Sequence, residues 1–234
     1  MPGRSFQIDS NSSFVSVGRE ASEPLRIPLK WDSPAVDRWC RQACWGFVAL
    51  GVVLRLSRYL LRFPLWGDEC AMAANFLERS YLQLLQPLEY QQVAPPLFLW
   101  IELSLVKLLR FNEYSLRAFP FLCSMASLFL FRHVAARVAR GLPLVLAVGV
   151  FSVAYYPLRH SAESKPYASD LFVALVILAL AIEWWRRPEE HRWLWGLLVA
   201  APVALALSHP AVFVAGGVSL ALLPLVWKKD TRTV

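Results

Sequence analysis

Cysteine is scarce and unpatterned in this chain. The four present, Cys40, Cys44, Cys70 and Cys123, have no metal-ligand spacing and form no even framework on one side of a membrane, which excludes a disulfide-stapled scaffold. Cys40 and Cys44 stand near a helix start, where packing as small apolar residues and lipidation are both open. No apolar core of signal-peptide type follows Met1; the first 40 or so residues are Ser-rich, carry Pro24, Pro28 and Pro34, and read as a disordered cytoplasmic tail. Internal repeats are missing as well. The net charge of +7 is not laid out as a basic stripe interleaved with aromatics, so a nucleic-acid partner is excluded.

What the chain has in abundance is apolar surface. Of its 234 residues 57% are hydrophobic, ten are Trp, and the mean hydropathy is +0.43, a composition of multi-span membrane proteins. Apolar runs recur from Trp45 to Trp227, bounded by charge, Pro or aromatic residues as interfacial anchors require. Candidate stretches are residues 45–63, 95–109, 117–133, 142–158, 168–185, 193–208 and 210–227. The basic clusters Arg38/Arg41, Arg132/Arg137/Arg140, Arg186/Arg187/Arg192 and Lys228/Lys229/Arg232 should all be cytoplasmic. They become so only if one candidate does not cross. The weakest is 95–109, which opens with Pro95-Pro96 and contains Glu102 and Lys107; it is assigned to the interface.

The expected fold is therefore an all-α polytopic transmembrane bundle of about six spans with juxtamembrane helices in the first external loop. The expected organisation is a tail over 1–40, a transmembrane module over 41–227 with an external loop over about 64–116, and a cytoplasmic tail over 228–234. Met72–Leu85 has the spacing of a helix lying along the surface, and the loop is acidic: Asp68, Glu69, Glu78, Glu89, Glu102 and Glu113 face only Arg79, Lys107 and Arg110.

Candidate chemistry gathers on the external side. Asp68 and Glu69 follow the first apolar run directly, and carboxylates at a lipid boundary are functional hypotheses by default, with capping of a juxtamembrane helix as the plainer role. Arg55, Arg58 and Arg62, spaced i, i+3, i+7, predict a cationic face on the first span; such a stripe suits a lipid-linked phosphate, and outward snorkelling is the alternative. His160, Glu163, Lys165, Tyr167 and Asp170 form a compact polar corner, in which Asp170 needs a partner such as Lys165 or an Arg of the first span. Read structurally, the same corner is a salt-bridged turn. His209, between Ser208 and Pro210, is a further candidate for which capping or packing is the simpler role.

Trp66-Gly67-Asp68-Glu69 after the first span, Pro95-Pro96-Leu97, Asn112-Glu-Tyr-Ser-Leu-Arg117 and Ser161-Ala-Glu-Ser-Lys-Pro-Tyr167 together resemble the multi-span glycosyltransferases of the GT-C fold. The bacterial branch related to protein O-mannosyltransferases and lipid A aminoarabinose transferases is the nearest in motif order. The resemblance covers residues 45–227. It implies transfer of a sugar from a polyprenyl-phosphate donor to a lipid, glycan or protein acceptor on the external face of a bacterial inner or plasma membrane, with the N-terminus cytoplasmic. Asp68 matches the essential first-loop acid, with Glu69 beside it. Arg55, Arg58, Arg62, Gln92, Glu163, Lys165, Tyr167, Asp170 and His209 are then expected on the substrate. Relatives often carry a charged residue or His where Ala94 stands here, and commonly continue through further spans, so the stretch is expected to lack the C-terminal part.

A carboxylate within reach of an acceptor hydroxyl can take its proton as it attacks the anomeric carbon, and cations can stabilise the departing phosphate. Single displacement of this kind inverts the anomeric centre. No cofactor is assigned, because two adjacent acids do not specify a metal. Two other readings stay open: a non-catalytic scaffold or subunit of the same fold, and a transporter or flippase of a lipid-linked substrate, in which Arg55 and Asp170 would line a passage.

Overall fold

A computed structural model describes residues 34–230, with side chains over 35–224. Among the described residues every long element is an α-helix. In chain order they are α1 (Pro34–Leu60), α2 (Gly67–Glu78), α3 (Pro96–Leu109), α4 (Glu113–Val138), α5 (Gly141–Val153), α6 (Tyr155–Arg159), α7 (Tyr167–Arg186), α8 (His191–Leu207) and α9 (Ala211–Asp230). Short 3-10 turns lie at Gln83–Leu85, Glu89–Gln91 and His160–Ala162. The tail expected over 1–40 ends earlier, since 34–40 is already helix; its first 33 residues and the last four of the chain lie outside the described residues.

All six expected spans are helical, but their lengths differ. Within α1, Ala35–Leu60 is long and apolar enough to cross a membrane, and so are α4 and α7. Helices α5 and α6, bent by 46° at Ala154, make a fourth crossing only if taken together. Helices α8 and α9 contribute shorter apolar stretches, His191–Leu207 and Ala211–Pro224. Among the described residues the count by length and composition is therefore three, or four with the bent pair, where the charge pattern predicts about six. At about 1.5 Å per residue, the 14 residues of α3 fall short of a hydrocarbon core of about 30 Å.

Surface composition agrees with immersion in lipid. The outward faces of α1, α5, α8 and α9 show Val53, Leu146, Leu198 and Val203, and Phe213 is 81% exposed, an apolar periphery larger than a water-soluble monomer tolerates.

Local sequence sets the helix ends. Asn112 caps α4 by accepting from the backbone N–H groups of Tyr114 and Ser115. Pro96 opens α3 at a position where its missing N–H is harmless. Helix α1 stops at Leu60, and Arg62 then takes a left-handed backbone (φ 47°) ahead of Pro64, which cannot extend a helix.

Helix α4 packs most extensively on α7, and α1 on α5. One apolar core joins α2 and α3 to α4, α7, α8 and α9 through Met72, Phe98, Leu103, Leu116, Val173 and Ile177. A second core holds α1 to α5 through Cys40, Cys44, Val48, Val145 and Val148. Both cysteines face the neighbouring helix and are buried, the packing role of the two open to them.

The acidic loop does not remain a solvated surface. Helix α3 buries Phe98, Leu99, Glu102, Leu103 and Val106 on one face, against α4 and α8. Glu102 is 0% exposed, with neither carboxylate oxygen paired, and burial raises its pKa well above the usual carboxylate value. The helix expected over Met72–Leu85 begins earlier, at Gly67, and ends at Glu78; Arg79 is extended and pairs with Glu89.

Candidate functional site

The first turn of α2 sends its two acids to different surroundings. A helix places successive side chains about 100° apart. Glu69 turns into the bundle and is 1% exposed. Its Oε1 accepts from Arg117 Nε at 3.0 Å and its Oε2 from Arg117 Nη2 at 2.7 Å, while the Ser164 N–H donates to Oε1 at 2.8 Å. Arg117 also donates to the Phe63 carbonyl at 2.7 Å. Glu69 reaches back to the Trp66 N–H as well, at 3.4 Å. One bidentate pair thus ties α2, α4 and the 161–167 corner together. The expectation of Glu69 beside Asp68 at the reacting centre is corrected in one respect: the carboxylate is committed to a buried interior partner.

Asp68 faces outward, with its side chain 34% exposed. Lys165 Nζ lies 2.7 Å from Oδ2, and Gln92 Nε2 donates to Oδ1 at 3.0 Å. Lys165 also donates to Gln92 Oε1, closing a three-membered ring of contacts. Lys165 holds the Asp68 carboxyl below its ordinary value of 3.8, with Gln92 adding to the effect and partial burial opposing it. A depressed folded-state pKa means that the contact contributes fully above pH 3.8 and is lost as pH falls through the lower folded value. Gln92 reaches this ring from a segment in which Tyr90 (φ 56°) and Gln91 (φ 55°) are both left-handed. That conformation is rare for residues other than glycine and is sustained only where the surroundings over-determine it.

The 160–167 corner forms a second cluster adjoining the first. Glu163, 2% exposed, accepts from Arg159 Nε at 3.0 Å, and His160 Nδ1 lies 2.6 Å from its Oε2. Arg58 stands 3.9 Å from the same carboxylate and donates to the Arg159 carbonyl at 2.9 Å. The His160 ring lies 4.4 Å from that of Tyr167. Tyr167 in turn sits in the electrostatic field of Asp68, Glu163 and Asp170, which places these acids at one end of the bundle.

The arginine stripe of the first span does not hold together. Arg55 is fully buried; it donates to Ser124 Oγ at 2.9 Å and to the carbonyls of Gly51 and Ser152 at 3.2 and 2.9 Å, while its Nη2 is unpaired. That side chain cross-links α1, α4 and α5. Arg62 lies past the helix end, where its altered backbone turns it to Glu113 at 2.8 Å. Arg58 is the member of the three that joins the corner. Beside it a cavity of about 230 Å³ opens between Arg58 and Arg159, with Leu54, Leu61 and Leu158 as apolar walls.

Asp170 pairs neither with Lys165 nor with a first-span arginine. It stands beside Ser208 and His209 at the α8–α9 corner, and its Oδ1 and the Ser208 Oγ are buried without a partner in hydrogen-bonding geometry. His209 is exposed. Among the described residues no group of three or more His, Cys, Asp or Glu is placed to hold a metal ion.

Sequence reasoning assigned no role to Arg117, Arg159 or Ser164. Arg117 carried a usable signal: it is a cation at the very start of an apolar run, where a counter-charge is called for. Arg159 and Ser164 carried none, since their parts depend on how the 154–167 segment turns. Comparison of the chain with protein-family models, with curated proteins and with solved structures found no match.

Proposed function

We propose that this chain is a membrane glycosyltransferase that moves a sugar from a polyprenyl-phosphate donor to an acceptor at the external face, with inversion at the anomeric carbon. The observation that carries the reading is the half-open Asp68–Lys165–Gln92 ring, joined through Glu163 and its partner Arg159 to a cavity that Arg58 and Arg159 line together with leucines. In this reading the chain crosses the membrane six times, the bent α5–α6 pair and the shorter α8 and α9 included, with the end bearing Asp68 outside and the N-terminus in the cytoplasm. Its acceptor is a lipid, glycan or protein of the cell envelope.

At rest Asp68 is a weak base, because Lys165 neutralises it. A donor phosphate seated between Arg58 and Arg159 would compete for the Lys165 ammonium. Its withdrawal raises the proton affinity of Asp68 as the acceptor hydroxyl arrives, so that binding of one substrate arms the base for the other. Arg58, Arg159 and Lys165 then meet the charge that develops on the leaving phosphate. Tyr167 and His160, with ring centroids 4.4 Å apart, would offer aromatic surface to a sugar ring. Asp170 and His209 lie farther along the same end, where they would contact the acceptor.

The test is transfer in vesicles supplied with polyprenyl-phosphate sugars. Asp68→Asn should lower turnover by about 10²- to 10⁴-fold, the usual weight of a general base, with folding unchanged. Activity equal to wild type in Asp68→Asn would remove the assignment. One observation favours a second reading, a non-catalytic scaffold: Asp68 and Glu69 both already have cationic partners. Failure of the wild-type chain to turn over any donor while still binding one would support it.

A further inference from the structure

At the end of the bundle away from Asp68, a cavity of about 430 Å³ lies where α4, α7 and the start of α8 meet. We infer that it is a binding site for the phosphate headgroup and upper acyl chain of an anionic phospholipid. Its lining changes character along both long helices. On α4 it runs from Leu130 to His133 and Arg137, and on α7 from Ala179 and Leu180 to Glu183 and Arg187. Seven residues separate Leu130 from Arg137 and Leu180 from Arg187, about 10 Å along each axis. Apolar walls therefore sit deeper in the two membrane-length helices, and cations stand at their ends.

The charges are arranged to leave a surplus. Glu183 is buried, and its Oε1 lies 2.6 Å from Arg137 Nη2 and 3.0 Å from His133 Nε2, while its Oε2 has no hydrogen-bond partner. This fixes Arg137 at the cavity wall. Arg187 is 47% exposed, and Glu190 is 3.6 Å away, a loose contact. Within the lining two guanidiniums stand against one carboxylate; Glu190, outside it, is shared between Arg187 at 3.6 Å and Arg192 at 2.5 Å, so the three arginines exceed the two carboxylates by one charge whatever the charge of His133. Trp193, in the first turn of α8, closes the side with an amphipathic ring of the kind that anchors at headgroup level.

The plain alternative is that these arginines only complement the negative C-terminal ends of α4 and α7. Arg186 does so, donating to the Arg137 carbonyl at 3.3 Å. Arg187 instead lines the cavity. A free phosphate would be served by the cations alone and would have no use for Leu130 and Leu180. A phosphodiester carrying acyl chains uses both parts, and basic pockets between spans at a membrane boundary are suited to such lipids. This assignment depends on α4 and α7 crossing a bilayer and is independent of sugar transfer.

The test uses the full chain purified in mild detergent, with bound lipid read by native mass spectrometry. Phosphatidylglycerol and phosphatidylcholine of matched chains are offered together. Wild type should retain phosphatidylglycerol preferentially, and Arg187→Gln should reduce that preference about fivefold, the weight of one arginine at a headgroup. Ala179→Trp, which fills the cavity from its apolar side, should reduce retention with helix content unchanged. Arg140→Gln, an exposed arginine at the same end but outside the lining, should leave the preference intact. Equal retention of the two lipids by wild type, or wild-type preference in both Arg187→Gln and Ala179→Trp, would overturn the proposal. Displacement of phosphatidylglycerol by equimolar glycerol 3-phosphate would overturn the lipid assignment in favour of a soluble phosphate.

Discussion

Neutralising Glu69 by Glu69→Gln is expected to be among the most damaging single changes in this protein, although the substitution alters no volume. The carboxylate is 1% exposed and bridges Arg117 through contacts of 2.7 and 3.0 Å. Without that charge, Arg117, 3% exposed, is left as a buried cation with the Phe63 carbonyl and a neutral amide as partners. Breaking a buried pair from one side costs about 3–5 kcal/mol, a lowering of about 6–20 °C in the unfolding midpoint for a chain of this size. The cost is not the strength of the pair, and this is where the reasoning can be tested. Replacing both residues by leucine removes both buried charges and leaves mainly the Ser164 N–H and the Phe63 carbonyl without partners, each worth about 1 kcal/mol. The double variant should therefore be more stable than either single leucine variant. Thermal unfolding of the four proteins in one detergent, read by circular dichroism, gives the coupling directly. Additive losses would refute the argument, because they would mean that each residue acts through packing alone.

Glu102 gives a pH signature of opposite sign to that of Asp68. Its folded-state pKa is raised, so the folded chain holds a proton that the unfolded chain releases, and stability falls as pH rises above 4.5. Glu102→Met should flatten the fall between pH 5 and 8 and raise the midpoint at pH 7.5; parallel melting curves for the two proteins across that range would contradict it. Gly51 lies where α1 crosses α4 and α5, and a Cβ there would meet Leu128 Cδ2 at 3.0 Å and Arg55 Nη1 and Ser152 Cβ at 3.2 Å. Gly51→Val should cost about 1–3 kcal/mol through overpacking, whereas Gly46→Val, on an open face of the same helix, should cost less than a third of that; equal melting points for the two would show that the crossing is loose.

Hydrophobic runs and their punctuation determined much of this protein. Helical class, the places of the long helices, the shortness of the helix at 96–109 and the gathering of Asp68, Glu163, Lys165 and Tyr167 at one end were all legible, because each depends on local periodicity or on which side of an apolar run a residue falls. What the sequence could not decide is which of two neighbouring acids turns inward. Asp68 and Glu69 are chemically alike and adjacent. Only the docking of α2 against α4 buries one on Arg117 and leaves the other to Lys165 and Gln92. The arginine stripe failed for a related reason: a spacing of i, i+3, i+7 describes a face only while the helix lasts, and the left-handed turn at Arg62 ends it. Glu102, assigned to an acidic surface by composition, is instead buried by the amphipathic face on which it sits. Charge type and period are properties of the chain, whereas the partner of each charge is set by which helices meet, and that is a property of the fold.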